Sequence, residues 1–574
     1  MILQALTRLY EDLYQQNKIA RPGWGRTKIH YALCLDGDGT LTQLVPLQKE
    51  VSVGKKTALR PQEFILPAPV KRSSGVAPNF LWDSAPYLLG LSDKENDQRS
   101  RACFGASQAL HHQLLDGVES DTAQAILNFF DGWDVSSAKT HPVITAHLEE
   151  LSGANLVFRV EGRFAQDDPE IRSAWDHHQS EKTGTKMQCL VTGKQDWIEP
   201  IHPSIKGVAG AQSSGAALVS FNAPSFCSYG KEQNFNAPVG SHAAFAYTTA
   251  LNHLLADRNN VQRIGGNTTV VFWAEGADPA YAAFSCAALF GGELPQGLTD
   301  NDLRSAVKRL AEGKRTESLP LDPDRPFYLL GLAPNAARLS VRFFCRDTFG
   351  DLMRNVNDHQ ERLQIDGQQY AMMPLWALLQ ETIRSGEKSD NEKINPVMAG
   401  AVARAVFSGT RYPASLLESM MMRIRAERQI TPGRAAILKA YYLKNENHQC
   451  PKEVLTVSLN ENSTNVPYIL GRLFSLYETV QEKANPGINA TITDRYFNAA
   501  SATPAMIFPI LDNLYHKHQR KLEEGIRIYY DKQIGELKDR LGEAYPTRLS
   551  LPEQGSFDLG YYQQKQRRYA KKEA

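Results

Sequence analysis

The apolar positions at the start of the chain repeat first at helical spacing and then alternate. The first pattern predicts an amphipathic helix over residues 1–17, which the RPGWG sequence of residues 21–25 ends. The second pattern predicts a β-hairpin over residues 28–46, because alternation of apolar and polar positions is typical of a half-buried strand. The DGDG sequence of residues 36–39 supplies its turn.

Between about residue 50 and residue 345 the two periods are mixed. A helix is predicted over residues 241–256, among several runs with the composition of strands. The strand-like runs are residues 155–160, 217–221, 268–273, 327–332 and 339–344. Strands and helices in this arrangement predict an α+β fold whose N-terminal region is rich in β structure.

After about residue 346 the helical period takes over. The predicted helices are 346–364, 372–386, 396–407, 414–428, 432–444, 465–485, 503–520, 522–541 and about 558–570. The polar sequence of residues 445–451 is typical of a linker. We therefore expect a mixed α/β region over residues 1–345, a helical region with its linker over 346–450, and a C-terminal helical bundle over 451–574.

Composition changes this picture in three respects. A chain of 574 residues exceeds what one core usually holds, so several domains are expected. Its seven cysteines lie far apart without a C-x-x-C motif, which favours reduced thiols over a zinc site or a disulfide framework. No apolar run of about 18 residues occurs, and the opening residues lack the features of a signal peptide, so a cytoplasmic protein without a membrane span is expected. The net charge of +1 neither favours nor excludes a nucleic-acid partner.

One sequence resembles a catalytic motif. Residues 35–41 read LDGDGTL, and an apolar strand that ends in D-x-D-G-T is typical of phosphatases of the haloacid-dehalogenase type. Asp36 would attack phosphorus, Asp38 would act as acid and base, and a magnesium ion would lie between them. The alternative is a hairpin turn, which we favour because a strand-like sequence follows the motif where the phosphatase needs a helix. No apolar strand precedes Asp167 and Asp168, which could otherwise supply a second acidic pair.

Other catalytic or metal-binding patterns are weaker. Asp176, His177 and His178 could begin a metal site, but no partners follow at ligand spacing, so a helix end on the surface is favoured. No phosphate-binding loop, zinc-protease motif or nucleophile elbow is present. We therefore predict a binding protein rather than an enzyme, with no cofactor and no bound metal.

Two polar segments have the composition of nucleic-acid contacts. In residues 70–81, Lys71 and Arg72 suit phosphates, and three polar residues suit phosphates or base edges: Ser73, Ser74 and Asn79. Residues 202–238 are rich in Gly, Ser, Asn and Gln, with few charges. The candidates in this segment are Lys206, Gln212, Ser213, Ser214, Lys231, Asn234 and Asn236. The alternatives are an ordinary surface loop for the first segment and a structural glycine-rich loop for the second.

Several longer sequences resemble one known family, the large subunit of the type I-C CRISPR Cascade complex. The resemblance covers essentially the whole chain. It rests on MILQAL at residues 1–6, RPGW at 21–24, RSSG at 72–75, PNFL at 78–81, residues 207–215, SYGK at 228–231, GINATI at 487–492 and LGYYQQKQ at 559–566.

The resemblance implies a non-catalytic subunit of an RNA-guided surveillance complex. Such a subunit would recognise the protospacer-adjacent motif in duplex DNA, promote strand opening and R-loop formation, and support recruitment of a helicase-nuclease. Its partners would be the crRNA, the backbone subunits, the crRNA-processing subunit, and a small subunit made by internal translation of the same gene. Within this scheme we assign Lys71, Arg72, Ser73, Ser74 and Asn79 to the motif, and Gln212, Ser213 and Ser214 to a strand-opening wedge. Phosphate contacts are assigned to Lys206, Lys231, Asn234 and Asn236.

Two other functions compete with this one. A magnesium-dependent phosphatase would use Asp36 and Asp38, and its hydrolysis of a generic phosphate ester would be lost in Asp36→Asn. A purely structural assembly subunit would tolerate charge reversal at Lys71 and Arg72 without losing target binding.

Overall fold

The computed structural model describes residues 1–53, 56–70, 72, 75–91, 98–151, 153–180, 184–316, 319–387 and 393–569. The chain folds into two compact units. The first is built from residues 3–201 and 221–249, and the second from residues 202–220 and from residue 250 onward. Lys71, Ser73 and Ser74 lie outside the described residues.

The first unit combines short sheets with helices. Its helices are α1 (Ile2–Gln15), α2 (Ala85–Leu88), α3 (Gln98–Leu115), α4 (Asp121–Gly132), α5 (Pro142–Thr145), α6 (Pro169–Ser180) and the start of α7 (Ser241–Ala256). Its strands are β1 (Trp24–Ile29), β2 (Tyr31–Leu35), β3 (Leu41–Pro46), β4 (Gln48–Val53), β5 (Lys56–Pro67), β6 (Trp82–Ser84), β7 (Asn155–Val160), β8 (Arg163–Phe164), β9 (Lys186–Gln188) and β10 (Gln195–Trp197).

The central sheet of the first unit has the order β3-β2-β7-β6, with β8 paired to β7. Strands β2 and β3 form the antiparallel hairpin predicted from the alternating pattern, and β2 runs parallel to β7. A second sheet, of order β1-β5-β4, is antiparallel. Apolar side chains of β2, β7, α3 and α4 form the core, among them Leu33, Phe158, Leu115 and Phe130.

The second unit begins with a sheet and continues in helices. Its strands are β11 (Val261–Ile264), β12 (Thr268–Ala274), β13 (Pro326–Asn335) and β14 (Arg338–Thr348). Its helices are α8 (Pro279–Phe290), α9 (Asp300–Ala311), α10 (Phe349–Leu363), α11 (Leu375–Gln380), α12 (Pro396–Ser408), α13 (Ala414–Glu427), α14 (Pro432–Asn445), α15 (Val466–Ala484), α16 (Ile492–Ala502), α17 (Pro504–Gln519), α18 (Glu524–Lys538) and α19 (Leu551–Gln566).

The sheet of the second unit is antiparallel with the order β11-β12-β13-β14. Every residue of β12 is buried, as expected for the apolar run VVFWA at residues 270–274. At the edge of the sheet the register of β13 and β14 shifts: Gly331 pairs with Phe343, Leu332 pairs with Val341, and Arg342 has no counterpart. Arg342 is therefore the extra residue of a β-bulge.

Helix α15 is the central helix of the C-terminal region, and residues 467–480 are buried around its whole circumference. It crosses α19 closely at glycines. A Cβ atom on Gly471 would overlap the carbonyl oxygen of Phe557, and one on Gly560 would overlap that of Tyr468. The two helices can approach this closely only because neither glycine carries a side chain.

The structure confirms the α+β class and most of the predicted elements, with corrections. The predicted strand over residues 217–221 is wrong: Ala217 makes one isolated bridge to Arg338 and the chain then leaves the sheet. The chain bends at Leu218 and Val219, so the residues after Ala217 turn away from β14 and do not continue the pairing. The helix predicted over residues 372–386 is shorter and spans only Leu375–Gln380. The three-part division of the chain stays a prediction. Among the described residues, no helix combines the length and apolar character needed to cross a membrane.

Candidate nucleic-acid interface

The first candidate loop, residues 68–81, joins β5 to β6 in the first unit. Of its predicted contact residues, the structure describes Arg72 and Asn79. The guanidinium of Arg72 forms an ion pair with Asp83, and its Nε donates to the carbonyl of Ala77 at 2.6 Å. It also lies over the ring of Tyr87, 4.0 Å from the ring centroid. Arg72 therefore binds its own loop in this structure.

Asn79 is buried, and it too stabilises this loop. Its side-chain oxygen accepts a hydrogen bond from Val70 N at 2.9 Å, and its backbone N donates to Asp83 Oδ2 at 2.8 Å. Asp83 is 1% exposed, and its charge is stabilised by Arg72 and by the N–H groups of Asn79 and Ser84. In this conformation the Asn79 side chain positions the loop, because its oxygen is already bonded to Val70 N.

His111 of α3 holds the end of the first loop. Its Nε2 accepts a hydrogen bond from Leu81 N at 3.1 Å, so its Nδ1 must carry the proton that it donates to Ser107 O at 2.7 Å. Burial lowers the pKa of His111 to about 4, which keeps the ring neutral and able to accept this bond. Leu81 has φ +65°, a conformation that costs a residue with a side chain about 1–2 kcal/mol.

The second candidate loop, residues 202–220, belongs to the second unit. Ile205 and Ala216 exchange backbone hydrogen bonds of 2.9 Å in both directions, and the base of the loop also bonds to the sheet edge, where Ala217 N donates to Ala337 O at 3.0 Å. Gly215 has φ +98°, and a Cβ there would lie 2.9 Å from Ile205 O. Only glycine fits this position without moving the backbone.

The tip of the second loop carries the predicted wedge residues. Gln212, Ser213 and Ser214 are all exposed, and a hydrogen bond of 2.9 Å from Gly215 N to Gln212 O closes the turn that presents them. Lys206 is also exposed, and its backbone N is anchored to Asn252 Oδ1 at 2.8 Å. The tip thus combines an anchored backbone with polar side chains that extend into solvent.

The third candidate loop, residues 223–238, belongs to the first unit. Asn236 holds it together: its Oδ1 accepts from Ser228 N at 2.9 Å, and its Nδ2 donates to the carbonyls of Lys231 and Gln233. Asn234 is buried, and its Oδ1 has no hydrogen-bond partner in the described part of the chain. The structure therefore leaves Lys231 as the exposed candidate among the three residues.

Tyr229 is a candidate contact in the third loop that sequence reasoning missed. Its side chain is 98% exposed and its φ is +54°, an uncommon conformation for a tyrosine. An exposed aromatic ring beside a lysine is suited to stacking on a nucleobase. The signal in the sequence was its place in the run SYGK, where Gly230 permits a tight turn.

The phosphatase-like motif forms the predicted turn. Asp36 Oδ1 accepts hydrogen bonds from Asp38 N at 3.1 Å and Thr40 N at 2.8 Å, and strand β3 follows instead of a helix. Asp168 accepts from the N–H groups of Glu170 and Ile171 at the start of α6. His177 and His178 lie in the last turn of α6, as expected for a helix end. Among the described residues, no three His, Cys, Asp or Glu side chains form a group suited to a metal ion.

The basic C-terminal sequence is largely neutralised by acidic partners where it is described. Lys565 pairs with Glu478 at 3.2 Å, and Arg568 pairs with Glu482 at 2.7 Å. Arg567 also forms an ion pair, with Glu461. These pairs attach the end of α19, as far as Arg568, to the rest of the second unit.

Exposed amides, hydroxyls and lysines are groups that can form hydrogen bonds with phosphate oxygens. A comparison with protein families matches residues 6–569 to the family described as CRISPR-associated protein (Cas_Csd1). Because the match spans nearly the whole chain, the chain belongs to this family, in keeping with the resemblance to the type I-C large subunit. The family places it among the subunits of CRISPR effector complexes. A search for relatives among curated proteins finds no match.

Proposed function

We propose that this chain is the non-catalytic large subunit of a type I-C surveillance complex, which recognises the protospacer-adjacent motif in duplex DNA and promotes strand opening and R-loop formation. The observation that carries the proposal is the exposed tip formed by Gln212, Ser213 and Ser214 on the second loop. Amide and hydroxyl groups can donate to and accept from base edges, while few charges leave the contact sensitive to sequence.

Anchoring of the second loop supports its use as a wedge. A wedge must transmit force to the base pair, so its backbone has to resist displacement when the strands separate. The mutual bonds between Ile205 and Ala216 and the attachment of Ala217 to the sheet edge provide that resistance. Side chains that extend from a fixed turn lose little further entropy on binding, which favours contact.

The first and third loops have different roles in this proposal. Lys71, Ser73 and Ser74 contact the motif, while Arg72 and Asn79 hold the described part of the first loop. Lys206 and Lys231 contact backbone phosphates without reading sequence. Tyr229 adds a stacking contact beside Lys231.

The remaining steps belong to partners. Pairing between the guide RNA and the target strand reads the sequence, and a recruited helicase-nuclease cuts the DNA. The C-terminal helical bundle, predicted over residues 451–574 and proposed to resemble the small subunit, contacts the other protein subunits of the complex. In this scheme the chain contributes binding energy and geometry, and no covalent step.

The test is target-DNA binding by the reconstituted complex with and without this chain. Duplexes that carry or lack a T-rich flanking motif are compared, and opening is followed with 2-aminopurine placed next to the motif. We expect motif-dependent binding to vanish when the chain is omitted. Equal binding without the chain would move motif recognition to another subunit and favour a purely structural role.

Variants locate the contacts. Gln212→Ala/Ser213→Ala/Ser214→Ala is expected to reduce strand opening, and Lys206→Ala/Lys231→Ala is expected to weaken binding to duplexes with and without the motif alike. The matched control is Lys194→Ala/Lys532→Ala, which removes one exposed lysine from each unit outside the candidate loops. If the control pair weakens binding as much as the loop pair, the loops are not the phosphate contacts.

A further inference from the structure

A basic groove lies in the second unit, between the edge strand β14, helix α12 and the loop that follows α12. It has a volume of ≈ 380 Å³. The residues that line it are Val341, Arg342, Val397, Gly400, Ala401, Arg404, Thr410, Arg411 and Pro413. Its charged residues are all arginines, and no acidic residue is among the described residues that line it.

The β-bulge directs Arg342 into this groove. Because Arg342 has no counterpart on β13, its side chain leaves the regular alternation of β14. Gly400 makes room for it on α12, since a Cβ at that position would lie 3.3 Å from the Cβ of Arg342. Arg342 Nε is fully buried and has no hydrogen-bond partner among the described residues. A buried unpaired donor of this kind is costly unless a ligand or water satisfies it.

Arg404 and Arg411 complete the set of charges. Arg404 lies one helical turn beyond Gly400 on α12, and Arg411 lies in the loop after Gly409, whose φ of +64° ends the helix. Asn445 fixes that loop by donating to Tyr412 O and accepting from Tyr412 N, both at 2.9 Å. Hence the backbone that carries Arg411 is held in place.

The three arginines of the groove contrast with Arg434, whose buried guanidinium is neutralised by carboxylates. Arg434 pairs with Glu427 at 3.0 Å. Arg342, Arg404 and Arg411 make no ion pair with a described residue, although all three line one groove. Like charges that converge without a counter-ion repel one another, and such an arrangement is stabilised by an anion.

The guanidinium groups and the apolar side chains of the groove together indicate which kind of anion it can bind. Guanidinium groups bind phosphate oxygens in bidentate geometry, and three of them can hold consecutive phosphates. Apolar side chains flank them: Val341 is 43% exposed and Val397 is 60% exposed. Free phosphate has nothing to contact these surfaces, whereas the sugars and base faces of a nucleic-acid strand do.

We propose that this groove binds the phosphodiester backbone of a single nucleic-acid strand. It is a site separate from the candidate loops and does not depend on their role in motif recognition. RNA and DNA share the recognised chemistry, so either strand is a source of the ligand. Binding is expected to be independent of sequence because the arginines reach phosphates and not base edges.

The test measures binding of labelled oligo-dT and oligo-U to the purified full chain by fluorescence anisotropy over a range of salt concentrations. Arg342→Gln/Arg404→Gln/Arg411→Gln removes the groove charges. The matched control is Arg258→Gln/Arg520→Gln/Arg548→Gln, which removes three exposed arginines of the same unit that do not line the groove. Each lost phosphate contact lowers the salt dependence, the slope of log K against log salt, by about 0.7.

We expect the groove variant to bind about tenfold more weakly and to lose about 2 from this slope, while the control keeps most of both. Stronger loss for one oligonucleotide identifies RNA or DNA as the ligand. Equal losses in the groove and control variants would overturn the proposal. Competition by inorganic phosphate as effective as by oligonucleotide, at equal phosphate concentration, would also overturn it, because the groove would then be a site for a free anion.

A second measurement leaves the arginines intact. A photo-reactive phenylalanine analogue replaces Val397 at the rim, and the control carries it at Val457, which is 42% exposed and outside the groove. The Val397 variant is expected to cross-link to the oligonucleotide on irradiation, and Ala401→Glu in the same chain is expected to abolish the cross-link by placing a carboxylate among the arginines. Equal cross-linking at both positions would contradict a strand in the groove.

Discussion

The first and second candidate loops have similar compositions and opposite constructions. In the first loop, polar side chains turn inward: Asn79 and Arg72 bind the backbone and the buried carboxylate of Asp83. In the second loop, backbone bonds between Ile205 and Ala216 form the base. The polar side chains at its tip, residues 212–214, are therefore left exposed.

The way in which each loop is held shows which of its residues stabilise the loop and which can contact a ligand. A side chain that is hydrogen-bonded to a buried backbone group cannot turn to a ligand without leaving that backbone group unpaired. Where glycine turns and backbone hydrogen bonds hold a loop, its side chains are not needed for this purpose. We therefore expect substitutions in the first loop to alter stability and binding together, and substitutions at the tip of the second loop to alter binding alone.

The largest effect is expected at Asp83. In Asp83→Ala, Arg72 loses its ion pair and Asn79 N loses its acceptor, so the first unit should be destabilised by about 3 kcal/mol. The measurement is the free energy of unfolding, together with hydrogen exchange at the amides of Asn79 and Ser84. Asp83→Asn is the control: its amide oxygen can still accept from Asn79 N, so the loss should be smaller. Equal stability of the wild type and Asp83→Ala would show that the network does not hold the loop.

Acid should open the first loop through His111. The folded pKa is about 4 and the unfolded value is 6.5, so the unfolded state binds the proton first as the pH falls. The stabilisation is complete above pH 6.5 and is lost as the pH falls towards 4, by up to about 3 kcal/mol. Protonation of Nε2 also breaks the bond from Leu81 N.

The variant His111→Gln tests this pH dependence because glutamine retains an acceptor but does not titrate. The wild type should lose stability relative to the variant between pH 6.5 and pH 4, and exchange at the Leu81 amide should accelerate over the same range. A constant difference between the two proteins across this range would show that His111 does not titrate with unfolding. Burial also lowers the pKa of His359, to about 3, so His359 adds its own loss of stability in acid. This loss is the same in the wild type and in His111→Gln, and the difference between the two proteins therefore isolates His111.

The second loop should respond to a change of backbone. Gly215→Ala forces an alanine into φ +98° and places its Cβ 2.8 Å from the Cβ of Ser204, so we expect a local loss of about 2 kcal/mol. Faster hydrogen exchange at the amides of Ile205 and Ala216 would reveal it. In the control, Gly230→Ala, φ is also positive at +68° but no atom lies within 4 Å, so the cost is conformational only. Equal exchange in the Gly215→Ala variant and the wild type would contradict a backbone-held loop.

Periodicity predicted the elements, but not the orientation of loop side chains. The hairpin of β2 and β3 and the helices α10, α12, α13 and α14 follow from local patterns of apolar residues, and the structure confirms them. The roles of Arg72 and Asn79 depend on Asp83 and on Val70, whose positions are fixed by the path of the whole loop. A local pattern of apolar and polar residues does not reveal hydrogen-bond partners of this kind.

The residues of the basic groove also could not be grouped from local sequence patterns, because they lie far apart along the chain. Arg342 and Arg404 are 62 positions apart in sequence, and each is unremarkable among its neighbours. Both line one groove because α12 packs beside β14, and because a bulge and Gly400 leave space for the side chain of Arg342. A bulge is set by the pairing of two strands and is therefore not visible in either strand alone.

The smallest effect on stability is expected at the tip of the second loop, where the effect on function should be clearest. Gln212→Ala/Ser213→Ala/Ser214→Ala removes exposed side chains, so the free energy of unfolding should change by less than about 0.5 kcal/mol. The same complex should open motif-containing duplex more slowly, as followed by 2-aminopurine fluorescence. Asn79→Ala is the contrasting variant, because it should lose stability as well as binding. If the tip variant opens DNA at the wild-type rate, the exposed side chains do not act as the wedge, and the anchored backbone alone would have to separate the strands.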